Sequence, residues 1–266
     1  MTRTATAAAL ASAHFDTPVE VVDADAGGPV VLVCEHAHRH IPPRYRNLGL
    51  AEADLDRHIA WDPGALALAR RLARRLDAPL VYATHSRLLI DVNRALSAHD
   101  SIVERSEGTE IPGNQALSEP ERLARQRGLY EPFHAALARL LASRRARGLA
   151  TVAVSVHSFT PRFHGQARPW QVGILSDRDR RLADALLEAL RADPDLCVGD
   201  NAPYAPADGV FHTLDRHAQS AELPCAMIEV RNDLIADESG LEHWAGHLQQ
   251  ALARALTRLY DAREHG

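Results

Sequence analysis

The sequence contains no lysine. All 30 of its basic side chains are arginines, set against 35 carboxylates for a formal charge of -5. Lysine catalysis through a Schiff base is therefore excluded. Without a basic excess the chain is also unsuited to neutralising nucleic-acid phosphates. Cysteine is nearly as sparse: Cys34, Cys197 and Cys225 are odd in number, far apart and free of any C-x-x-C spacing. Neither a disulfide framework nor a zinc knuckle is indicated, and the three are read as small hydrophobes of a reducing compartment. No stretch approaches the roughly 18 apolar residues that span a bilayer. The opening MTRTATAAALASAHF has one arginine and a short alanine-rich centre where a signal peptide has a leucine-rich region. The expectation is a cytoplasmic protein with no membrane or nucleic-acid partner, a loose segment over residues 1–25 and one domain over 26–266.

What is present is ordinary globular material: 266 residues, 46% hydrophobic and 24% charged. Short runs rich in valine and isoleucine predict strands over Pro29 to Cys34, Pro79 to Thr84, Leu88 to Val92, Thr151 to Val156, Gln171 to Leu175 and Cys225 to Val230. Helical periodicity covers Asp62 to Leu76, Ser118 to Arg147 with a break near Pro132, Arg178 to Arg191, and Glu238 to Arg263. Strands alternating with helices predict an α/β fold of three layers, αβα, around a mostly parallel or mixed sheet. Three irregular segments remain, His36 to Leu50, Asn93 to Ser118 and Asp200 to Asp208, and long loops in a compact domain tend to carry function.

In open α/β sheets, side chains converge beyond the carboxyl ends of the strands. Here those ends carry Glu35 and His36, His157, and Glu229 followed by Arg231 and Asn232, with Asp62 opening the first helix. Two imidazoles and a carboxylate match what a hydrolytic zinc asks of a protein, leaving one position for water. His36, Asp62 and His157 are the candidate ligands for one Zn2+, or another divalent metal, per chain, and Glu229 is the candidate proton carrier. No H-E-x-x-H helix fixes the geometry. Asp62 before Pro63 also reads as a helix N-cap, and Glu229 could instead pair with an arginine. His38 and His40 are read as loop residues. In SRLLIDVNR, Arg87 and Arg94 are forks for an anionic substrate, or Asp91 and Arg94 form a structural pair. Arg231 is a further candidate clamp.

With these residues in place, the chain resembles the N-formylglutamate amidohydrolase family from about residue 29 to 256. The resemblance rests on CEHAHRHIPP, LDRHIAWDPGA, SRLLIDVNR, GTEIPGN, YEPFH, VSVHSF, DNAPY and IEVRNDL. It implies a phosphorylase/hydrolase-like core akin to zinc carboxypeptidases, aspartoacylases and cell-wall amidases. It implies that His36 and His157 are zinc ligands, that Asp62 or the adjacent Glu35 is the acidic ligand, and that Glu229 is the catalytic glutamate. Arg87, Asn93, Arg94 and Arg231 would contact substrate. The implied reaction is hydrolysis of the N-formyl or small N-acyl amide of an acidic amino acid, by a monomer or small homo-oligomer. One departure bears on the substrate: histidine-degrading members carry a PHxG-like segment where this chain has CEHAHRHIPP. The alternatives are a metal-binding sensor without catalysis and a peptide or cell-wall amidase of the same fold.

Overall fold

Alternation inside the apolar runs decides the architecture. In the computed structural model, which describes residues 15–264, Val30, Leu32 and Cys34 of the first apolar run join one buried layer, while Val31 and Val33 join the other. Successive strand side chains point to opposite faces, so a run buried on both faces reads as uniformly apolar although it serves two cores.

The strands are β1 (Val19–Val22), β2 (Val30–Cys34), β3 (Leu80–Ala83), the hairpin β4 (Arg105–Ser106) and β5 (Thr109–Glu110), β6 (Val152–Phe159), the hairpin β7 (Arg162–Phe163) and β8 (Gln166–Ala167), β9 (Val172–Leu175), β10 (Val198–Asp200) and β11 (Cys225–Arg231). Seven form the central sheet in the order β1-β3-β2-β6-β11-β9-β10. From β3 to β11 neighbours are parallel, whereas β1 and β9 run antiparallel to β3 and β11, so the sheet is mixed. Besides 3-10 turns and a single α-helical turn at Glu52–Leu55, the helices are α1 (Ala65–Leu76), α2 (Glu119–Arg125), α3 (Glu131–Ala146), α4 (Arg181–Arg191), α5 (His212–His217) and α6 (Glu238–Glu264). Helices α1, α4 and α6 cover one face through Leu68, Leu72, Leu186 and Leu248. Helices α3 and α5, with irregular chain, cover the other through Phe133, Leu137 and Leu214. Each such fully buried side chain contributes roughly 1.5–3 kcal/mol. The three-layer αβα expectation holds. Among the described residues no helix is long and apolar enough to cross a membrane.

Several boundaries differ from the sequence reading, each for a physical reason. The segment expected to be loose lies outside the described residues up to residue 14, but Val19–Val22 forms the edge strand β1. The expected strand Leu88 to Val92 is a buried irregular segment. Its side chains are apolar because they fill the core, while its carbonyls are met by side chains instead of a neighbouring strand. Asn114 donates to Leu88 O, Arg125 to Leu89 O and His134 to Val92 O, at 2.8, 3.0 and 3.0 Å. The break near Pro132 is real: a π-helical stretch, Gln126–Tyr130, links α2 to α3. Proline has no N–H and crowds the carbonyl four residues back, so a widened turn relieves both.

Helix α1 begins at Ala65 instead of Asp62. Gly64 precedes it at φ +82°, where a Cβ would lie 2.7 Å from Ile235 O, so the turn demands glycine. The N-cap reading of Asp62 therefore fails, and its carboxylate is free for other partners.

Candidate active site

Strand parity and register assemble the site. His157 is opposite Glu229 in the parallel β6/β11 pair, so the two side chains share a face. On β6, Ser155 precedes His157 on that face, and its hydroxyl donates to Glu35 Oε2 at 2.5 Å, just beyond the end of β2. The face is apolar along most of the sheet and polar only where the parallel strands end.

Asp62 is the centre of the cluster. Its Oδ2 is 2.7 Å from His157 Nδ1 and 3.5 Å from His36 Nδ1, and its Oδ1 is 3.3 Å from both His58 Nε2 and Arg87 NH1. The backbone fixes the approach, since Asp62 N donates to His36 O at 2.9 Å. Burial alone would raise the Asp62 carboxyl, but His36, His157 and His58 hold it well below the usual range. His36, Asp62 and His157 offer ligand atoms that all lie within 4.8 Å of one another and are buried together.

Each candidate histidine ligand has a second carboxylate behind it. His36 Nε2 donates to Asp91 Oδ1 at 2.8 Å, leaving Nδ1 turned to Asp62. His157 Nε2 is 3.1 Å from Glu35 Oε2, again with Nδ1 turned to Asp62. Glu35, weighed as a rival acidic ligand, thus lies on the far side of His157. Burial opposes its ionisation, yet His157 and Ser155 keep its carboxyl below the usual range. The pairing of Asp91 with Arg94 is corrected as well: Asp91 backs His36, and Arg94 Nε bonds Asp100 Oδ2 at 2.8 Å.

The donor set fits a divalent cation. Four buried carboxylates, Glu35, Asp62, Asp91 and Glu229, converge here. Glu35 Oε1 and Glu229 Oε2 are buried without a hydrogen-bond partner among the described residues. Buried acid in such excess is costly unless a cation balances it, and two imidazole nitrogens with one carboxylate oxygen are a zinc-like set. Glu229 is the exception in charge, because burial pushes its carboxyl up to about 7 against the pull of His157.

These groups open on a cavity of ≈ 700 Å³ that His36, Asp62, His157, Glu229, Arg87 and Tyr204 help to line. Arg87 grips His58 O and Ile59 O at 2.9 and 3.2 Å and extends NH1 to 3.1 Å from His36 Nδ1. Asn93 lines the cavity, but its amide is engaged by Val210 O and by Thr213 N, the latter at 2.9 Å. Arg94 is at the wall, neutralised by Asp100. Arg231 is not among the lining residues; its Nε bonds Asp233 at 2.8 Å. His38 and His40 pack at an angle against Tyr82 and His85, and neither is among the cavity's lining residues.

Sequence reasoning missed His58 and Tyr204 as site residues and undervalued Asp91. His58 was visible as the histidine four residues before Asp62, and its Nε2 donates to Ser158 O at 2.6 Å. Tyr204 stood in the DNAPY motif and in the irregular segment Asp200 to Asp208, but neither singled out its phenol. Its loop reaches β9 because Gly173 has no Cβ, which would fall 2.0 Å from Ala202 O.

Residues 28–236 match the family defined as N-formylglutamate amidohydrolase. A crystallised gene product of Agrobacterium tumefaciens is 46% identical with a TM-score of 0.90, over 91% of this chain and 96% of that one. The crystal structure of an N-formylglutamate amidohydrolase from Ralstonia eutropha JMP134 shares the fold at 21% identity and a TM-score of 0.60, over 91% of this chain and 98% of its own. No curated protein matches the chain.

Proposed function

The chain belongs to the N-formylglutamate amidohydrolase family, and from that premise we propose that it is a divalent-metal amidohydrolase acting on the N-formyl, or another small N-acyl, amide of an acidic amino acid. N-formylglutamate, split to formate and glutamate, is the reference substrate. The observation that carries this reading is the buried His36, Asp62 and His157 triad facing a cavity beside Glu229, whose Oε2 has no hydrogen-bond partner among the described residues. Zn2+ is the metal the donor set suits best. His36 Nδ1, an Asp62 oxygen and His157 Nδ1 would hold it, and it would supply Lewis acidity and a more acidic water.

The chain's own residues do the rest. Glu229 takes a proton from the attacking water and returns it to the leaving nitrogen, so the amide C–N bond breaks as the acid and amine are released. A carboxyl raised to about 7 is near the proton affinity that such a shuttle needs at neutral pH. Arg87, whose NH1 is already beside His36 and Asp62, supports the negative oxygen that develops on the carbonyl. Asp91 and Glu35 orient the two imidazoles from behind and favour ligation through Nδ1. The reading takes residues 26–266 as one hydrolase domain, cytoplasmic, and a monomer or small homo-oligomer.

The test pairs metal analysis with hydrolysis of N-formyl and N-acetyl amino acids by wild type and Glu229→Gln. The variant should keep wild-type metal content and lose about 10²–10⁴-fold in kcat. Activity retained by the variant removes Glu229 from the proton-carrying role.

A further inference from the structure

The cavity lacks an obvious clamp for the substrate's side-chain carboxylate. Arg94 is paired with Asp100, Arg105 with Glu110, Arg231 with Asp233, and the Asn93 amide is engaged with backbone. Two buried guanidiniums have no carboxylate partner among the described residues. Arg144 is met by the carbonyls of Ala26, Gly28 and Ala150, outside the cavity lining, whereas Arg168, 9% exposed at the end of the β7/β8 hairpin, is held mainly among aromatic rings. Its guanidinium carbon is 5.7, 4.5 and 4.7 Å from the ring centroids of Phe159, Phe163 and Tyr204. Ring faces offset part of the cost of desolvating a cation, but they bring no net negative charge. Arg168 is thus a positive charge held in place and left uncompensated.

Its strongest hydrogen bond leads to the cavity. Arg168 NH1 donates to the Tyr204 phenolic oxygen at 3.0 Å, while its contacts with Thr160 O and Oγ1 are both 3.5 Å. Tyr204 and Phe163 line the cavity with Glu229, and Arg168 is behind them. A phenol that accepts from a guanidinium still has its own proton to give. No protein acceptor among the described residues takes that proton. Burial pushes the Tyr204 phenol up, and Glu229 adds to the rise, so the hydroxyl remains a donor at neutral pH.

We propose that Tyr204, backed by Arg168, binds the side-chain carboxylate of the substrate and so determines its acidic specificity. This rests on the acidic-substrate reading above and assigns it a site. The phenol supplies the direct hydrogen bond, and the charge behind it makes an anionic acceptor worth more than a neutral one of the same shape. Arg168 acts only through Tyr204 and is a positioning residue.

The test compares N-formylglutamate with N-formylglutamine, which differ at the side-chain terminus in charge and scarcely in size. Wild type should prefer the acid. Tyr204→Phe should raise KM for N-formylglutamate on the order of tenfold, with a much smaller change in kcat and in KM for the amide. Arg168→Met should erode the same preference. Calorimetric binding of glutamate to Tyr204→Phe provides a readout apart from turnover, and thermal melting identifies any variant that fails to fold. Equal KM increases for both substrates, a loss confined to kcat, or unchanged glutamate binding by a folded Tyr204→Phe would overturn the proposal. A wild type that hydrolyses both substrates equally overturns the acidic-substrate reading along with it, whereas a preference that survives in both variants overturns the Tyr204 assignment alone.

Discussion

His157 and His134 are buried alike, at 2% and 3% exposure, yet the protein treats them in opposite ways. His157 lies between Glu35 and Asp62, and although burial disfavours its charge, the two carboxylates lift it well above the ordinary histidine range. His134, on α3, has histidine and arginine for neighbours. Burial, then the nearby His217 and Arg216, drop it to about 3. Its Nε2 donates to Val92 O at 3.0 Å, so its bare Nδ1 accepts from His217 Nε2 at 2.8 Å. His217 and His212, both on α5, are lowered in turn, His217 to about 4. One histidine cluster is built around negative charge and suits a cation, and the other is built to stay neutral. They are connected, because Val92 is flanked by Asp91, which backs His36, and by Asn93, which lines the cavity. The neutral cluster supports the segment on which the charged one depends.

The most severe way to break this contrast is Asp62→Asn, which keeps the shape and removes the charge that His36, His58 and His157 share. Zinc affinity, measured by chelator competition, should fall by more than the roughly 10–100-fold typical of losing an outer hydrogen-bond partner. Affinity unchanged in this variant would mean that the cluster is not a metal site, and the contrast would reduce to local ion pairing.

Glu35→Gln and Asp91→Asn sharpen the same contrast at smaller amplitude. Each leaves the inner triad intact and weakens what holds an imidazole from behind. Zinc affinity should drop about 10–100-fold in each, with the fold preserved. Equal affinity in wild type and Glu35→Gln would return Glu35 to a purely structural role beside Ser155.

Much of this was legible in the sequence. A strand buried on both faces is mostly apolar, so β2, β6 and β11 were visible as runs, and the polar residues that end those apolar runs named His36, His157 and Glu229 directly. The failures share one cause. Leu88 to Val92 reads as a strand because its side chains are buried, but burial does not say who satisfies the backbone. Here Asn114, Arg125 and His134, remote in sequence, do so. Asp62 reads as an N-cap because the Asp-Pro pair is a local signal, and only the contact of Gly64 with Ile235 shows the helix starting later. Glu35 and Asp62 could not be ranked as ligands, since neighbours in sequence gave no hint that His157 would come between them. Arg168 and Tyr204 meet through a hairpin and a loop whose approach no periodicity records.

The contrast also predicts a pH dependence whose sign is set by the neutral cluster. An unfolded histidine takes up a proton near 6.5, whereas His134 in the fold does so only at about 3 and His217 at about 4. Between those values the unfolded chain binds more protons than the folded one, so stability falls as pH falls. His157 behaves oppositely, because its raised value gives stability that is complete below 6.5 and lost only as pH climbs through the folded value. From pH 6.5 down to about 4, acid sensitivity should therefore come from the histidines that the fold holds down, His134 and His217 together with His85, which burial and the nearby His40 also lower to about 4. Replacing His134 with Gln leaves an amide to donate to Val92 O and accept from His217, but nothing to titrate. The variant should lose about 1 kcal/mol less per pH unit than wild type over that window, read from urea midpoints at pH 7.0 and below. At neutral pH the two proteins should differ little. Parallel lines for wild type and His134→Gln would show that His134 is not held neutral, and that the support beneath Asp91 and Asn93 does not depend on its protonation.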